Sequence, residues 1–313
     1  MSKSRPTDFR SGFIAIVGET NAGKSTLLNA ILGKKLSIVS AKPHTTRNRI
    51  LGVKHLPHAQ LIFVDTPGFV GNSKAGPMGK FTSRVLQDAT AGVDLVLLVV
   101  DANVLARNLA KVAAIPLELQ ERKLGRPAVI VLNKVDLVAK PLLLPLLEKL
   151  SAEFAAGQNE TVELVPVSAL RGDGLDVVEQ LIVDRLPLGE RLFPTDVDTD
   201  QSEEFMTAEI VREKLLPKLH QELPHSVAVK IEGWEEDEEL IKIQAAVLVE
   251  KDSQKAIVIG KGGSRLKEIG QAAREELEAS FGQKVFLKLF VKVEPEWTKT
   301  ERGLERAGYN NVF

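Results

Sequence analysis

Near the start of the chain lies a glycine-rich segment with the spacing Gly18-x4-Gly23-Lys24-Ser25. The apolar run Phe13 to Val17 precedes it and the helical pattern Thr26 to Leu32 follows it, which is the strand–loop–helix context that a phosphate-binding loop requires. In such a loop the backbone N–H groups and the helix N-terminus surround phosphate oxygens, the lysine reaches the outer phosphates and the serine hydroxyl ligates Mg²⁺. Lys24 and Ser25 are therefore predicted to hold a Mg²⁺-bound nucleotide.

A second segment, Asp65-Thr66-Pro67-Gly68, follows the apolar run Leu61 to Val64 about forty residues after the phosphate loop. By itself this segment is an ordinary turn. Behind a phosphate loop, however, an aspartate at a strand end can hold a water of the Mg²⁺ shell, and a glycine N–H can face the γ-phosphate. We therefore predict a nucleotide-sensing switch in which Asp65 and Gly68 act.

The polar stretch Pro43 to Arg49 lies between these two segments and contains adjacent threonines. A threonine here can complete the Mg²⁺ shell and sense the γ-phosphate. Thr46 is the preferred ligand and Thr45 the alternative. His44 receives no catalytic role, because a lone histidine in a polar loop is more often simply exposed.

The segment Asn133-Lys134-Val135-Asp136 also follows an apolar run, and it supplies what a guanine pocket needs. The Asp136 carboxylate can accept the N1 and N2 protons of guanine, whereas adenine offers no such pair of donors and would leave the carboxylate unpaired. Lys134 is expected to stack its stem over the ring, and Ser168-Ala169-Leu170 to offer backbone N–H groups to guanine O6. The ordered set of segments predicts a GTP-binding domain.

Two positions bear on the rate of GTP hydrolysis. Phe69 follows Gly68, whereas Ras-like GTPases place there the glutamine that orients the attacking water, so slow intrinsic hydrolysis is expected. Asn21 resembles the asparagine with which some GTPases bind a catalytic K⁺. We hold a K⁺ site at Asn21 as a hypothesis.

A signature of a different kind follows near the C-terminus, at Gly260-Lys261-Gly262-Gly263. A G-x-x-G loop followed by the amphipathic helix Ser264 to Ser280 is typical of KH domains, in which the glycines let an RNA backbone approach closely. From Lys251 to Lys292 there are 9 basic and 5 acidic residues, a local excess of positive charge that suits phosphates. The alternative for this loop is a plain glycine turn before a helix.

Alternating apolar runs and amphipathic stretches from Phe13 to Ala169 predict the strands that position the nucleotide segments. The expected strands are Phe13 to Val17, Ile50 to Lys54, Gln60 to Val64, Leu95 to Val100, Ala128 to Leu132 and Glu163 to Pro166. They predict an α/β fold with a doubly wound, mostly parallel sheet, as in Ras-like P-loop GTPases. A last helix is expected at Leu175 to Arg185.

The remainder of the chain predicts a second, α+β domain. Its expected elements are a helix over Glu203 to Leu223, strands at Val227 to Ile231, Leu240 to Glu250 and Lys284 to Val293 in an antiparallel sheet, a helix opening near Gly260 and a helix over Ser264 to Ser280. The stretch before it, Pro187 to Asp200, contains prolines and aspartates without periodicity and is predicted to be a linker. We therefore divide the chain into residues 1–190, a linker over 191–202, and residues 203–313.

Composition excludes few functions. At 313 residues two domains are expected, and a net charge of -1 means that any nucleic-acid surface must be a local patch. The absence of cysteine excludes disulfides, thiolate zinc sites and thiol catalysis. The polar start of the chain does not resemble a signal peptide, and the apolar runs are far below membrane-spanning length. A soluble, cytoplasmic protein is expected.

With these residues in place, the sequence closely resembles the Era family of bacterial GTPases, which carry a C-terminal type II KH domain. The resemblance covers nearly everything from Gly12 to Tyr309. Besides the nucleotide segments, it is carried by Pro43 to Arg49, Thr199 to Glu213, Leu223 to Val229 and Val258 to Gly263. Other GTPases with the same nucleotide segments lack this C-terminal part.

The resemblance implies a GTPase that acts in 30S ribosomal subunit assembly, binds the 3′ end of small-subunit ribosomal RNA and associates loosely with the inner membrane. It implies GTP or GDP and Mg²⁺ as ligands. The nucleotide-lining positions carried over are Gly18, Asn21, Ala22, Gly23, Lys24, Ser25, Thr26, Thr45, Thr46, Asp65, Thr66, Pro67, Gly68, Asn133, Lys134, Asp136, Ser168, Ala169 and Leu170. Of these, Lys24, Thr46, Asp65 and Gly68 are the expected catalytic residues, and Ser25, Thr46 and Asp65 the expected metal ligands. The expected RNA-binding positions are Ile259, Gly260, Lys261, Gly262, Gly263 and Arg265. The chain departs from the family at Glu19-Thr20, where a basic residue and a proline are usual, which affects nucleotide kinetics more than the pocket.

Two other functions compete with a GTPase switch that gates RNA binding. One is a constitutive RNA-binding module in which the nucleotide is only structural. The other is a P-loop kinase or ATPase acting on a small molecule, against which Asp136 and the G-x-x-G loop both argue. A monomer is expected, because an asymmetric task needs no second copy.

Overall fold

The computed structural model describes residues 8–40, 42, 45–69, 76–121, 128–155, 162–219 and 223–309. The described residues form two compact units. The first lies within Met1–Ser37, Thr46–Ser73 and Thr82–Asp200, and the second within Ile38–Thr45, Lys74–Phe81 and Gln201–Phe313. Two short stretches from the first half of the sequence therefore belong to the second unit.

The first unit is built on a six-stranded sheet. Its strands are β1 (Arg10–Val17), β2 (Ile50–His55), β3 (Ala59–Asp65), β4 (Leu95–Asp101), β5 (Val129–Asn133) and β6 (Glu163–Val167), in the order β2-β3-β1-β4-β5-β6. Every neighbouring pair is parallel except β2 and β3. The mostly parallel sheet is confirmed. The one antiparallel pair has a simple cause, because only residues 56–58 join β2 to β3 and a parallel connection needs a dozen or more residues.

Helices cover both faces of this sheet. They are α1 (Lys24–Leu32), α2 (Pro77–Thr90), α3 (Ala102–Arg107), α4 (Ala110–Glu121), α5 (Lys140–Ala155) and α6 (Leu175–Arg185). Alternate residues of β1 point into separate cores: Ile14 and Ile16 join a core that includes residues of α1 and α6, while Ala15 and Val17 join one that includes residues of α3 and α5. The unit is therefore doubly wound, as expected.

The sheet brings the nucleotide segments to one edge. The phosphate loop follows β1, Asp65 ends β3, Asn133 ends β5 and Ser168 follows β6. Because β1, β3, β5 and β6 are parallel, their carboxyl ends all lie at the same edge, where ligands bind in open α/β sheets. Segments separated by more than a hundred residues thus meet.

Residues 187–200, expected to be largely a linker, make regular contacts in the first unit. The Thr199 hydroxyl donates to Leu51 O at 2.6 Å, and Val53 N donates to Asp198 O at 2.8 Å. Gln60 bonds the backbone of Phe193 as both donor and acceptor. Hydrogen bonds therefore hold this part of the chain against the β2 side of the sheet as far as Asp200.

The second unit follows the order helix, two strands, two helices, strand, helix. Its elements are α7 (Glu203–Leu215), β7 (Ala228–Glu236), β8 (Leu240–Val249), α8 (Asp252–Ile259), α9 (Ser264–Phe281), β9 (Lys284–Val293) and α10 (Glu301–Arg306). The three strands form a sheet in the order β7-β8-β9. The α+β fold is confirmed.

Three details of this unit differ from expectation. The sheet is mixed, since β7 and β8 are antiparallel but β8 and β9 are parallel, which the long connection through α8 and α9 permits. The helix before the G-x-x-G loop ends at Ile259 instead of opening near Gly260, because Gly260 adopts a φ of 74° that cannot continue a helix. Helix α7 stops at Leu215, two residues before Pro217.

Helices α7, α8 and α9 lie on one face of this sheet. Inward residues of β9, Val285 and Val291, pack with Ile269 and Leu277 of α9 in the core. The aromatic residue Trp297 is fully buried and donates its ring N–H to Ser226 O at 3.2 Å, so its ring packs in the interior and cannot stack on a base. Within the described ranges, no helix is both long and apolar enough to cross a membrane.

Candidate nucleotide pocket and nucleic-acid surface

The phosphate loop folds tightly around the start of α1. Gly23 caps this helix with a φ of 96°, and a Cβ atom there would lie 2.2 Å from the Asn133 side-chain nitrogen. Only glycine adopts this positive φ without strain and leaves the space beside Asn133 free of a Cβ atom. The half-buried Ser25 and Thr26 lie in the first turn of α1, whose N-terminal N–H groups favour an anion.

Lys24 is buried among backbone carbonyls of the same loop. Its ammonium donates to Gly18 O at 3.1 Å and Glu19 O at 3.0 Å. Burial lowers the pKa of Lys24 to about 8, although the nearby carboxylates of Asp65 and Glu19 oppose this shift. An ammonium that is so poorly hydrated is poised to exchange these carbonyls for phosphate oxygens.

Ser25, Thr46 and Asp65 converge beside the loop. The Ser25 hydroxyl donates to Asp65 Oδ2 at 2.7 Å and lies 2.9 Å from the Thr46 hydroxyl. Asp65 is fully buried, and burial raises the pKa of its carboxyl group against the opposing effects of Lys24 and Ser25. Its second oxygen, Oδ1, is buried and has no partner among the described residues.

The unpartnered Asp65 oxygen tests whether this cluster fits Mg²⁺. A buried carboxylate oxygen without a hydrogen bond costs free energy, and a water of a Mg²⁺ shell would remove that cost. Mg²⁺ keeps several waters and takes few protein ligands besides the phosphates of its substrate, which suits two hydroxyls and one carboxylate. The residues therefore fit the ion.

Thr45 and Thr46 are used differently. The Thr45 hydroxyl donates to Lys42 O at 2.7 Å, and its carbonyl accepts a hydrogen bond from the buried guanidinium of Arg212 within the second unit. Arg212 is itself held by Glu209 at 2.7 Å. The structure thus brings Thr46, and not Thr45, to Ser25 and Asp65.

The residues after Asp65 are pinned to the phosphate loop. Thr66 is buried and donates its hydroxyl to Ile16 O at 2.7 Å, so it ties β3 to β1. Pro67 is also buried, and the Gly68 backbone lies so close that an added Cβ would come within 2.8 Å of the Lys24 ammonium. Phe69 is buried at 5% exposure and exchanges backbone hydrogen bonds with Gly18 and Thr20.

The guanine end is organised by the buried side chain of Asn133. Its Nδ2 donates to Ala22 O at 2.9 Å, and its Oδ1 accepts from Ala169 N at 3.0 Å. Asp136 accepts the Ser168 hydroxyl at 2.7 Å, which orients its carboxylate. The segments predicted to read guanine are therefore joined by hydrogen bonds of the protein itself.

Lys134 has a partner that the sequence motifs do not contain. Its ammonium donates to Asn21 O and to Asp101 Oδ2, the latter at 2.6 Å. Asp101 ends β4 and caps α3 through bonds to Asn103 N and Val104 N. Lys134 and Asn21 both adopt left-handed backbone conformations, with φ of 64° and 63°. A carboxylate at the end of β4 is the signal that could have identified Asp101.

The loop predicted to face guanine O6 offers fewer free donors than expected. Ser168 N donates to Asp173 O at 3.1 Å, and Ala169 N is bonded to Asn133. Leu170 is 81% exposed at the rim. Of the three N–H groups predicted to face guanine O6, those of Ser168 and Ala169 are therefore already engaged within the protein.

The G-x-x-G loop presents an open backbone in the second unit. Gly262 adopts a φ of 59°, and a Cβ added there would find no described atom within 4 Å. A phosphate backbone can approach such a position directly. Lys261 beside it is exposed, whereas Ile259 packs against the core and the Arg265 guanidinium donates to Ile257 O.

A groove of about 510 Å³ begins at this loop and runs between α9 and β9. Its lining residues are Gly263, Leu266, Lys267, Gly270, Gln271, Arg274, Val285, Phe286, Leu287 and Leu289. Sequence reasoning missed Lys267, Arg274 and Phe286. The helical spacing of positions 263, 267, 270 and 274 could have identified the α9 side of the groove.

Comparisons with known proteins match each part of the chain to a family. Residues 13–134 match the family described as 50S ribosome-binding GTPase, and residues 222–298 match the KH domain family. GTPase Era of Syntrophus aciditrophicus (strain SB) is 44% identical over 304 residues, which cover 96% of each chain. GTPase Era of Pseudomonas aeruginosa (strain LESB58) is 42% identical, over 98% of this chain and 97% of the relative.

Two solved structures are similar over nearly the whole chain. A crystal structure of Era in complex with MgGDPNP and nucleotides 1506–1542 of 16S ribosomal RNA has a TM-score of 0.88 and 38% identity, and covers 96% of this chain and 99% of that chain. A crystal structure of an Aquifex aeolicus Era variant bound to GDP·AlF4⁻ has a TM-score of 0.87 with the same identity and coverage.

Proposed function

This chain belongs to the Era family of GTPases, and from that membership we propose a GTP-hydrolysing switch that binds the 3′ end of small-subunit ribosomal RNA during 30S subunit assembly. The observation that carries this proposal is that one chain brings the phosphate-loop and guanine segments together at one edge of a sheet and also has a groove at a G-x-x-G loop. The similar Era structure binds MgGDPNP and RNA together.

The first unit supplies the residues for nucleotide binding. GTP or GDP is held at its phosphates by Lys24 and the backbone of Gly18 to Thr26, and at its base by Asp136. Mg²⁺ is held by Ser25 and Thr46 directly and by Asp65 through water, and when bound it neutralises charge that develops on the phosphates. Gly68, whose backbone lies close to Lys24, supplies its N–H to the γ-phosphate in this proposal.

The geometry supports slow hydrolysis. Phe69 is buried and cannot orient water, so the position that holds glutamine in Ras-like GTPases contributes no polar group here. We infer that Asn21, exposed at the rim of the phosphate loop, helps to bind a K⁺ ion that assists hydrolysis. Hydrolysis should then be faster in K⁺ than in Na⁺, and Asn21→Asp should change that ratio. Equal rates in the two ions would exclude the site.

The second unit supplies the RNA contacts. Gly260, Gly262 and Gly263 leave room for the RNA backbone, and Lys261 meets its phosphates. Ile259 and Arg265 hold this loop in place through the contacts described above. The groove along α9 then accommodates about four unstacked bases.

The decisive experiment measures RNA affinity in two nucleotide states. A labelled single-stranded RNA matching the 16S rRNA 3′ end is titrated with protein loaded with GDPNP and with GDP. Clearly tighter binding in one state is expected, because a switch biases two conformations by its differential contacts with each nucleotide. Equal affinities would favour an RNA-binding module in which the nucleotide is structural.

We also propose that the protein acts in the cytoplasm as a monomer and touches the inner membrane only peripherally. Ribosomal subunits assemble in the cytoplasm, and the family resemblance implies the loose membrane association. Cell fractionation at low and high salt tests this, since a peripheral protein leaves the membrane when salt screens its charges.

A further inference from the structure

The face of the second sheet opposite α7, α8 and α9 carries an alternation of lysine and phenylalanine along β9. Successive residues of a strand point to opposite faces. Val285, Leu287, Leu289, Val291 and Val293 contribute to the core under the helices. The residues between them, Lys284, Phe286, Lys288, Phe290 and Lys292, therefore point away from the helices.

Phe286 is unusually exposed for its size. Its side chain is 56% exposed, and it stands between two exposed lysines, Lys284 and Lys288. The structure describes no ion pair for either lysine among its described residues. Burying Phe286 would remove apolar surface from water, so its exposure marks a place where another molecule can bind.

The neighbouring strand extends this positive surface. In the parallel register Lys242 of β8 lies opposite Phe286, and Gln244 lies opposite Lys288. Acidic groups reach the same face from β7: Glu235 lies opposite Lys242, and Glu232 is paired with Lys292 at 2.6 Å. The acidic turn Glu235 to Glu239 borders this end, because Leu240 lies opposite Lys284 and Gln283 Nε2 donates to Asp237 O. The positive charge of the face is therefore confined to Lys242, Lys284 and Lys288 around Phe286.

This end of the face is continuous with the groove at the G-x-x-G loop. Phe286 lines the groove together with Gly263 and Arg274, and it also belongs to the outward stripe on β9. A strand of RNA that leaves the groove past Arg274 thus meets the Phe286 ring next.

We propose that Phe286, Lys284, Lys288 and Lys242 form a second single-stranded RNA surface, on which RNA leaving the groove stacks a base on Phe286 and places phosphates beside the lysines. Interleaved aromatic and basic side chains are the arrangement that binds single strands without strict sequence preference. The inference rests on the proposed RNA-binding function, and it extends the bound RNA beyond the length that the groove holds.

Two nested RNAs from the 16S rRNA 3′ end test it with the full chain: one of about five nucleotides, which fills the groove, and one of about twelve, which also spans the face. Phe286→Leu should weaken binding of the longer RNA roughly fivefold to a hundredfold, the worth of one stacked base, and should weaken binding of the shorter RNA less, because Phe286 also lines the groove. The double variant Lys284→Gln/Lys288→Gln removes two phosphate contacts. The slope of log affinity against log salt concentration for the longer RNA should therefore become smaller in magnitude by about 1.4.

Matched variants separate the outcomes. Lys111→Gln/Lys140→Gln removes the same charge from exposed positions of the first unit and should change neither RNA. Unchanged affinity of the longer RNA in both face variants would overturn the inference, and so would equal weakening of the two RNAs, because Phe286 would then act inside the groove. Gly262→Asp should weaken both RNAs, with the isosteric Gly262→Asn as its uncharged control. If Gly262→Asp changes neither, the proposed RNA function itself fails.

Discussion

The candidate nucleotide pocket and the proposed RNA surface are built in opposite ways. In the pocket, Lys24, Thr46, Asp65 and Asn133 are buried and already bonded within the protein. On the RNA surface, Lys261 and Phe286 are exposed. A ligand in the pocket replaces existing hydrogen bonds of desolvated groups, whereas RNA meets hydrated charges. Nucleotide affinity should therefore be sensitive to the loss of single protein atoms, whereas RNA affinity should be sensitive to the salt concentration.

Lys24→Met tests the pocket most severely, since it removes the ammonium and keeps an unbranched side chain in the buried space. Nucleotide affinity should fall roughly 100-fold or more, because truncating one partner of a buried charge pair costs about 2–5 kcal/mol. Fluorescent nucleotide titration measures this loss. Thermal melting of the nucleotide-free variant checks that it is folded, and Lys140→Met is the exposed control. A loss below threefold would mean that Lys24 does not contact phosphate.

Asp136→Asn is expected to change which base the pocket accepts, with a loss of roughly 100-fold for GTP, because a site built for hydrogen bonding rejects a partner that leaves its polar groups unpaired. Xanthine carries a carbonyl where guanine has its amino group, so the new amide can donate to it. Competition between GTP and XTP gives the readout. Ser168→Ala, which removes only the hydroxyl bonded to Asp136, should have a much smaller effect. Retained preference for GTP over XTP would refute the assignment.

The pH dependence of nucleotide binding follows from the lowered pKa of Lys24, about 8 in place of 10.5. Phosphate binds the charged ammonium form of Lys24, so nucleotide affinity should fall by up to about tenfold per pH unit above pH 8. Above that pH the free protein has lost this proton, so nucleotide binding should take one up. Because the buried ammonium costs stability, the unfolding free energy contributed by this group rises as pH increases from about 8 towards 10.5. Calorimetry in two buffers of different ionisation enthalpy counts the proton, and Lys24→Met should abolish its uptake.

Lys261→Gln should have the smallest effect, because the side chain is exposed and meets RNA through a hydrated charge. RNA affinity is expected to fall a few-fold and the log–log salt slope by about 0.7, the value for one phosphate contact on a single strand. Nucleotide affinity should not change. A loss of RNA affinity that is independent of salt would show that Lys261 reads a base instead.

The sequence predicts most of the nucleotide pocket, because each motif lies next to its own strand and parallel strands bring their ends together. It does not predict Asp101, whose role depends on β4 lying beside β5 and not on any motif spacing. Nor does it predict the mixed sheet of the second unit, which is decided by long connections. Phe286 was missed because its exposure follows from which face of β9 the helices cover, a property of tertiary packing.

The Asn133 side chain limits which sequence changes this protein can accept in evolution. Its amide hydrogen-bonds both the Ala22 carbonyl and the Ala169 N–H, so one side chain connects two loops that are far apart in sequence. Side chains such as Glu19 and Thr20 can be exchanged without disturbing it. The backbones of the two loops cannot drift separately, since any insertion that moves one of them would have to be matched by the other.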